Sequence, residues 1–155
     1  FIQPDQVQAL MNCFPTEIAT LVHPFTKDDT LEDLANPNYV KVAIAREHNH
    51  SNATIGHAMY FSRSVIPYIR GAEATDWPQH EQHFRHLGMY AYRADILQKI
   101  TQISPSPLEQ SECSEQLRWL QHGLTIRVAL THHASIGIDT PEDLQRALKY
   151  LNNSK

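Results

Sequence analysis

The chain has 155 residues, of which 41% are hydrophobic, and a formal net charge of −4 with its histidines neutral. A chain of this size can bury the core of one domain, whereas its negative balance and scattered basic residues argue against nucleic-acid binding. Its apolar runs are far shorter than the roughly 20 residues of a membrane-spanning helix, so we expect no membrane partner and a cytoplasmic protein.

The first part of the chain predicts one helix and one buried strand. Pro4 and the helical spacing of the apolar residues that follow predict an amphipathic helix over residues 4–14, which Pro15 ends. The apolar run over residues 19–25 predicts a buried strand. Residues 28–35 are polar and predict a turn or a short helix.

Three strands and one long loop are predicted next. Apolar and polar residues alternate over residues 40–45 and again through 58–62, with a polar loop between them, which predicts a hairpin. Residues 71–83 are polar and contain glycine and proline, so we expect this loop to be the most mobile segment. Residues 86–92 predict a further strand.

The last part of the chain predicts helices around one more strand. Residues 94–100 predict a short helix, and a capping serine followed by proline and glutamate predicts a helix over 106–123. Residues 125–130 predict a strand, and Thr140 opens a final helix. Alternating strands and helices predict an α/β fold, with a mixed, mainly parallel sheet flanked by helices and including the hairpin.

Two patterns raise the question of redox or metal chemistry. Cys13 and Cys113 are far apart and match no metal-binding spacing, so we expect buried thiols. His80, His83 and His86 form a His-x-x-His-x-x-His run, and three imidazoles can hold zinc. This run crosses from the predicted loop into a strand, where its members would diverge, so we do not predict a metal site there.

Asp139 is a candidate metal ligand. It follows a predicted extended segment and precedes the final helix, which is where ligands bind in α/β sheets. Its carboxylate could instead cap the helix that Thr140 opens. As a magnesium ligand it would need further oxygen donors, because Mg²⁺ prefers octahedral coordination.

Five polar residues are candidates for binding a ligand, and each also has a structural explanation. Arg63 ends a strand, where its guanidinium could bind a carboxylate through two hydrogen bonds or form a surface ion pair. His86 and Tyr90 lie four residues apart on one strand face, where they could line a pocket or simply pack. Glu115 and Gln116 lie on the predicted long helix, where they could bind sugar hydroxyls or be solvated.

Several segments together resemble one enzyme family in both order and spacing. They include Asn-Pro-Asn-Tyr-Val-Lys-Val, Tyr-Phe-Ser-Arg-Ser, His-Leu-Gly-Met-Tyr and Gly-Ile-Asp-Thr-Pro-Glu-Asp-Leu. The matching segments are residues 36–42, 60–64, 66–68, 85–93, 105–109, 115–118 and 137–144. The chain is similar, essentially from end to end, to the 3-deoxy-manno-octulosonate cytidylyltransferases.

The resemblance implies a nucleotidyltransferase fold and a reaction of lipopolysaccharide precursor synthesis. The anomeric hydroxyl of 3-deoxy-manno-octulosonate would attack the α-phosphate of CTP and release pyrophosphate, with Mg²⁺ as cofactor. Asp139 matches a metal aspartate, and Arg63 matches the residue that faces the sugar carboxylate. The remaining matches to substrate-binding positions are His86, Tyr90, Glu115, Gln116 and Lys41.

The resemblance also implies features outside these residues and leaves rivals open. The nucleotide loop of the family and its other metal aspartate are expected before Phe1, which would make residues 1–155 a C-terminal, sugar-binding and dimerisation portion that is inactive alone. The family is typically homodimeric. Ser114 departs from the usual leucine, so its hydroxyl would need a carbonyl partner. The alternatives are a non-catalytic sugar-binding or interaction domain, or a cytidylyltransferase for another acidic sugar such as sialic acid.

Overall fold

The computed structural model describes residues 2–47, 54–80, 83–133, 144–145 and 148. Over these residues strands and helices alternate as predicted. The α-helices are α1 (Pro4–Met11), α2 (Leu31–Ala35), α3 (Ala94–Ile100), α4 (Pro107–Glu112) and α5 (Gln116–Gln121), with a 3₁₀ helix at Ala74–His80. The strands are β1 (Ile18–Pro24), β2 (Lys41–Arg46), β3 (Thr54–Ser62), β4 (Phe84–Tyr92) and β5 (Ile126–Leu130). None of these helices has both the length and the apolar character needed to cross a bilayer.

The described strands close into a barrel in the order β1, β4, β2, β3, β5. Only β1 and β5 pair in parallel, and the other pairs are antiparallel. The sheet is therefore mixed, as predicted, but in the described strands it is not mainly parallel. A direct hairpin makes β2 and β3 antiparallel, whereas a parallel pair requires a long crossover, which here joins β1 to β5.

A bulge interrupts the pairing of β1 with β4. Thr20 lies opposite Tyr90 and Val22 lies opposite His86, so two steps along β1 correspond to four steps along β4. Gly88 lies inside the bulge with φ +65, a left-handed conformation in which a side chain would be strained. Four residues apart on one strand, His86 and Tyr90 face the same side, and their ring centroids lie 5.2 Å apart.

The core lies on both sides of β1. Its inward residues Ile18 and Val22 join a cluster that also contains residues of the other strands and of α3 and α5. Its outward residues Ala19 and Leu21 pack against α1. Every residue from Ile18 to Val22 is buried, as expected for a strand covered on two faces. The inward position between Ile18 and Val22 is the polar Thr20, which therefore requires a hydrogen-bond partner.

The segment over residues 71–83, predicted to be a loop, contains the 3₁₀ helix Ala74–His80. Trp77 is buried, its indole nitrogen donates to Ala72 O at 3.2 Å, and its ring stacks on His83 with the centroids 6.1 Å apart. Trp77 also packs with Phe25 and Leu34 in a small separate core. The sequence analysis did not predict the buried Trp77, because the residues around it in the sequence are mostly polar.

The predicted helix over 106–123 is two helices. The capping box forms as expected, since Ser106 Oγ accepts from Glu109 N at 3.3 Å and the Glu109 carboxylate accepts from Ser106 N at 3.1 Å. Cys113 then adopts a left-handed conformation with φ 48, which ends α4 before α5 begins. This turn also leaves the Cys113 thiol exposed, whereas Cys13 is buried as predicted.

The left-handed turn predicts how substitutions at Cys113 affect stability. A β-branched side chain is strained in this conformation, so Cys113→Val is expected to lower the free energy of unfolding by about 1–2 kcal/mol. Cys113→Gly should be at least as stable as Cys113→Ala, which serves as the control for loss of the thiol. Urea unfolding followed by tryptophan fluorescence measures the series, and equal stability of the valine and glycine variants would contradict the assigned turn.

Candidate functional site

One group of candidate residues lies where the hairpin meets the turn between α4 and α5. Lys41 begins β2 and is paired in register with Ser62, the last residue of β3. Arg63 follows directly. The end of α4 lies beside these residues, and hydrogen bonds between polar groups hold the hairpin end against the turn that follows α4.

Lys41 is fully buried at the centre of this junction. Its Nζ donates to Asn36 O at 3.0 Å and to Arg63 O at 2.6 Å, which joins the segment before β2 to the end of β3. Burial lowers the pKa of Lys41, the positive charge of Arg63 lowers it further, and the carboxylate of Glu112 opposes both effects. These contacts give Lys41 a structural role that requires no ligand. Its role in substrate binding stays a prediction.

Glu112 holds the end of β3 with both carboxylate oxygens. Ser62 Oγ donates to Oε1 at 2.6 Å, and the backbone N of Arg63 donates to Oε2 at 2.8 Å. Hydrogen bonds to a charged carboxylate are stronger than those between neutral groups. Glu112 therefore fixes the position from which the Arg63 side chain departs.

The Arg63 guanidinium binds backbone carbonyls on two segments. Nε donates to Glu112 O at 2.7 Å, Nη2 donates to Cys113 O at 3.3 Å, and Nη1 donates to Pro37 O at 2.8 Å. Among the described residues, the second hydrogens of Nη1 and Nη2 have no partner, which leaves them for a ligand. Arg63 thus joins the hairpin to the left-handed turn that precedes α5.

The turn places Glu115 and Gln116 at the start of α5. Ser114 is buried there, and its hydroxyl donates to Glu112 O at 3.1 Å, which is two residues back rather than one helical turn back. Glu115 is exposed and pairs with Arg118, whereas Gln116 is buried. Burial, and then the nearby charge of Glu115, raise the pKa of Tyr92 to about 12.

A second group of residues packs around His86. Its Nε2 lies 3.0 Å from Thr20 Oγ1, and its ring contacts Phe61 and Tyr90 with centroids 5.1 Å and 5.2 Å away. Burial lowers the pKa of His86 to about 4, so the ring is neutral at physiological pH. Burial first, and then the charges of Tyr92 and Glu115, raise the pKa of Tyr90.

The two groups are neighbours. Phe61, which packs on His86, is two residues before Arg63, and Arg63 binds Cys113 O two residues before Glu115. Glu115 is also near enough to Tyr90 to contribute to raising its pKa, after burial and the charge of Tyr92, which connects the two groups. A cleft of about 720 Å³ lies elsewhere, beyond the ends of β1 and β5.

The remaining sequence candidates are separated or not described. His80 is exposed at the end of the 3₁₀ helix, whereas His83 is buried with Nε2 2.9 Å from Pro67 O. His86 packs against Thr20, Phe61 and Tyr90, so the three histidines do not converge on one point. Within the described ranges, no group of three or more His, Cys, Asp or Glu residues could hold a metal. Asp139 lies outside the described residues.

Comparison with known proteins assigns the chain to a family. The family model described as "Cytidylyltransferase" matches residues 1–126. The chain belongs to the cytidylyltransferase family.

Individual cytidylyltransferases agree with this assignment. The chain is 48% identical to the 3-deoxy-manno-octulosonate cytidylyltransferase of Parabacteroides distasonis, over 99% of this chain and 59% of that protein. It is 44% identical to the Porphyromonas gingivalis protein of the same name, over 99% and 58%. A solved structure of CMP:2-keto-3-deoxy-manno-octonic acid synthetase complexed with CTP matches with a TM-score of 0.79 and 32% identity, over 99% of this chain and 58% of that one. The chain thus spans just under three fifths of the length of these relatives.

Thr20 and Glu112 contact the candidate residues, and the sequence analysis did not identify either of them. Thr20 had a signal, because a polar residue in an otherwise apolar buried strand needs a partner inside the core. Glu112 had none. Its contacts with Ser62 and Arg63 join residues about fifty positions apart and depend on where α4 ends.

The carboxylate of Glu112 predicts a stability effect at the junction. Glu112→Gln keeps the shape of the side chain, but its NH₂ group would face either Ser62 Oγ or Arg63 N, which both donate to the carboxylate. The substitution is therefore expected to lower the free energy of unfolding by about 1–3 kcal/mol. Glu32→Gln, on exposed α2, is the control and should change it by less than about 0.5 kcal/mol. Urea unfolding measures both. An equally small effect at Glu112 would mean that the junction does not require the carboxylate.

The lowered pKa of His86 predicts a pH-dependent stability. Below about pH 6.5 the unfolded chain protonates this ring while the folded one stays neutral, so stability should fall as the pH decreases from about 6.5 to about 4. One proton corresponds to at most about 1.4 kcal/mol per pH unit. His86→Gln should remove this part of the slope, and His80→Gln, at an exposed position, should retain it. Denaturant titrations at several pH values test this, and an unchanged slope in His86→Gln would contradict it.

Proposed function

We propose that the chain is the sugar-binding portion of a 3-deoxy-manno-octulosonate cytidylyltransferase, an enzyme of lipopolysaccharide precursor synthesis. In the proposed reaction, the anomeric hydroxyl of the sugar attacks the α-phosphorus of CTP, and the products are the CMP-sugar and pyrophosphate. The names of relatives at 44–48% identity over 99% of the chain support this substrate and this reaction. The neighbour that was solved with CTP supports the nucleotide.

The observation that carries the proposal is that Arg63 binds the turn between α4 and α5, which also presents Glu115, and that Glu115 lies near enough to Tyr90 to affect its pKa. An acidic sugar offers one carboxylate and several hydroxyls. Arg63 has guanidinium hydrogens to offer a carboxylate, while His86 and Tyr90 are neutral groups suited to hydroxyls. Glu115 would accept from a further hydroxyl, and its charge would disfavour a carboxylate on its own side of the site.

The cleft beyond β1 and β5 supports a place for the nucleotide's phosphates. It opens at the carboxyl ends of the one parallel pair of described strands, where ligands of α/β sheets bind. Lys27, Asp28, Arg46 and His132 are among the residues that line it, and in the sequence Asp139 follows β5. Among the described residues that line the cleft, the two cations Lys27 and Arg46 outnumber the one carboxylate, Asp28, which would favour an anionic ligand there in a protein whose net charge is −4.

Mg²⁺ is the proposed cofactor and Asp139 its proposed ligand. The ion would neutralise triphosphate charge and stabilise the charge that develops at the α-phosphorus. Since the described residues contain no cluster of three potential ligands, this proposal depends on Asp139, on phosphate oxygens and on groups outside the described residues.

Homodimer formation in the cytoplasm completes the proposal. The hairpin would contribute to the contact, because Met59 on β3 is 64% exposed and a large apolar side chain of this kind is often covered in assemblies. The resemblance to a typically dimeric family is the other support.

Pyrophosphate release tests the proposed reaction. With CTP, Mg²⁺ and 3-deoxy-manno-octulosonate, the full-length enzyme that we propose contains this chain is expected to release pyrophosphate, and Asp139→Ala should lower the rate by at least about 100-fold. Asp76→Ala, at an exposed position on the 3₁₀ helix, is the control and should keep the rate.

Three other outcomes would redirect the proposal. Sugar binding without pyrophosphate release would identify a non-catalytic sugar-binding domain. Release with sialic acid but not with the octulosonate would change the substrate. An active Asp139→Ala variant would reject Asp139 as the metal ligand.

A further inference from the structure

Thr20 makes two hydrogen bonds that together determine where its proton lies. Its Oγ1 is 2.9 Å from Met89 O and 3.0 Å from His86 Nε2. A carbonyl oxygen only accepts, so the single hydroxyl proton of Thr20 must point to Met89 O. Thr20 Oγ1 then presents lone pairs to His86, and their hydrogen bond forms only if His86 Nε2 carries the hydrogen.

One other contact competes for the same nitrogen. The backbone N of Gly88 lies 3.3 Å from His86 Nε2 and could donate to it only if Nε2 had no hydrogen. The Thr20 contact is shorter. Thr20 is also fully buried, so it cannot replace a lost partner with water, whereas Gly88 is exposed and its N–H can be solvated. The balance therefore favours a hydrogen on Nε2.

The surroundings of the ring keep it neutral. The groups that face it are Thr20 from β1, Phe61 from β3 and Tyr90 on β4, and none of them is charged at neutral pH. Burial lowers the pKa of His86 to about 4 in agreement with this. A neutral imidazole has one N–H, so a hydrogen on Nε2 leaves Nδ1 as an acceptor.

We propose that Thr20 is a positioning residue that fixes His86 as the Nε2–H tautomer, so that Nδ1 accepts a hydrogen bond from a hydroxyl of the sugar substrate. Among the described residues His86 makes hydrogen-bond contacts through Nε2 and none through Nδ1, and the residue is partly exposed. Nδ1 without a hydrogen favours a hydroxyl over a carboxylate as its partner. A hydroxyl can donate its hydrogen to Nδ1, whereas an ionised carboxylate has no hydrogen to donate. The second half of the proposal rests on the proposed function, whereas the tautomer does not.

Nitrogen NMR of the ligand-free protein tests the tautomer alone. In ¹⁵N-labelled protein at neutral pH, long-range ¹H–¹⁵N correlations distinguish Nε2–H from Nδ1–H, and His86→Gln identifies the signals by their loss. We expect the Nε2–H pattern in the wild type and in Thr20→Ser, and a mixed or Nδ1–H pattern in Thr20→Val. An Nδ1–H pattern in the wild type overturns the proposal, and so does a folded Thr20→Val variant with the wild-type pattern.

Steady-state kinetics test the hydroxyl contact. In the full-length enzyme that we propose contains this chain, Thr20→Val is expected to raise the KM for 3-deoxy-manno-octulosonate by about 5- to 10-fold, the effect of one neutral hydrogen bond, with the KM for CTP unchanged. Thr20→Ser should restore the wild-type value. An unchanged KM for the sugar in an active Thr20→Val variant overturns hydroxyl recognition through His86. Lack of pyrophosphate release in the wild type with any acidic sugar would instead reject the proposed function and leave the NMR result standing.

Discussion

The contact between the hairpin end and the α4–α5 turn depends on a set of buried or half-buried hydrogen bonds to backbone carbonyls and amides. Lys41 and Arg63 together donate to carbonyls of the segment before β2, the end of β3 and the end of α4. Apolar packing alone would fix the distance between these segments but not their register. Directional bonds from two cations and one carboxylate fix the register, and α5 consequently starts at a defined point relative to β3 and β4.

This arrangement explains how charge is distributed in the candidate site. Lys41 and Glu112 are both engaged with protein groups, so neither adds an uncompensated charge. Arg63 contributes donors at one side, whereas His86 and Tyr90 are held in their neutral forms by burial. A cationic side and a neutral side therefore lie next to each other, which suits a ligand that has one acidic group and several hydroxyls.

The periodic elements could be predicted from the sequence, and the junction could not. Alternation predicted the hairpin, and α3, β4 and β5 were found within one or two residues of their predicted ends. The interruption at Cys113 was missed because left-handed helix ends are usually signalled by glycine. Lys41 looked like the polar face of an alternating strand, yet it is fully buried because its charge meets carbonyls from segments distant in the chain. Pairing direction was also misjudged, since strand periodicity does not specify the neighbour.

The His86 group shows why a buried polar residue is informative even when its partner is unknown from the sequence. Thr20 lies between Ile18 and Val22 on the inward face of β1, where an unsatisfied hydroxyl would be costly. Because Thr20 donates to Met89 O, its contact with His86 requires the hydrogen to lie on Nε2, so the placement of protons extends to the imidazole. Tyr90 OH and Trp119 Nε1 lie buried in the same region without a hydrogen bond of good geometry among the described residues. Since buried polar atoms seldom remain unsatisfied, these two atoms and His86 Nδ1 are the points at which a hydroxyl-bearing ligand or ordered water would complete the network.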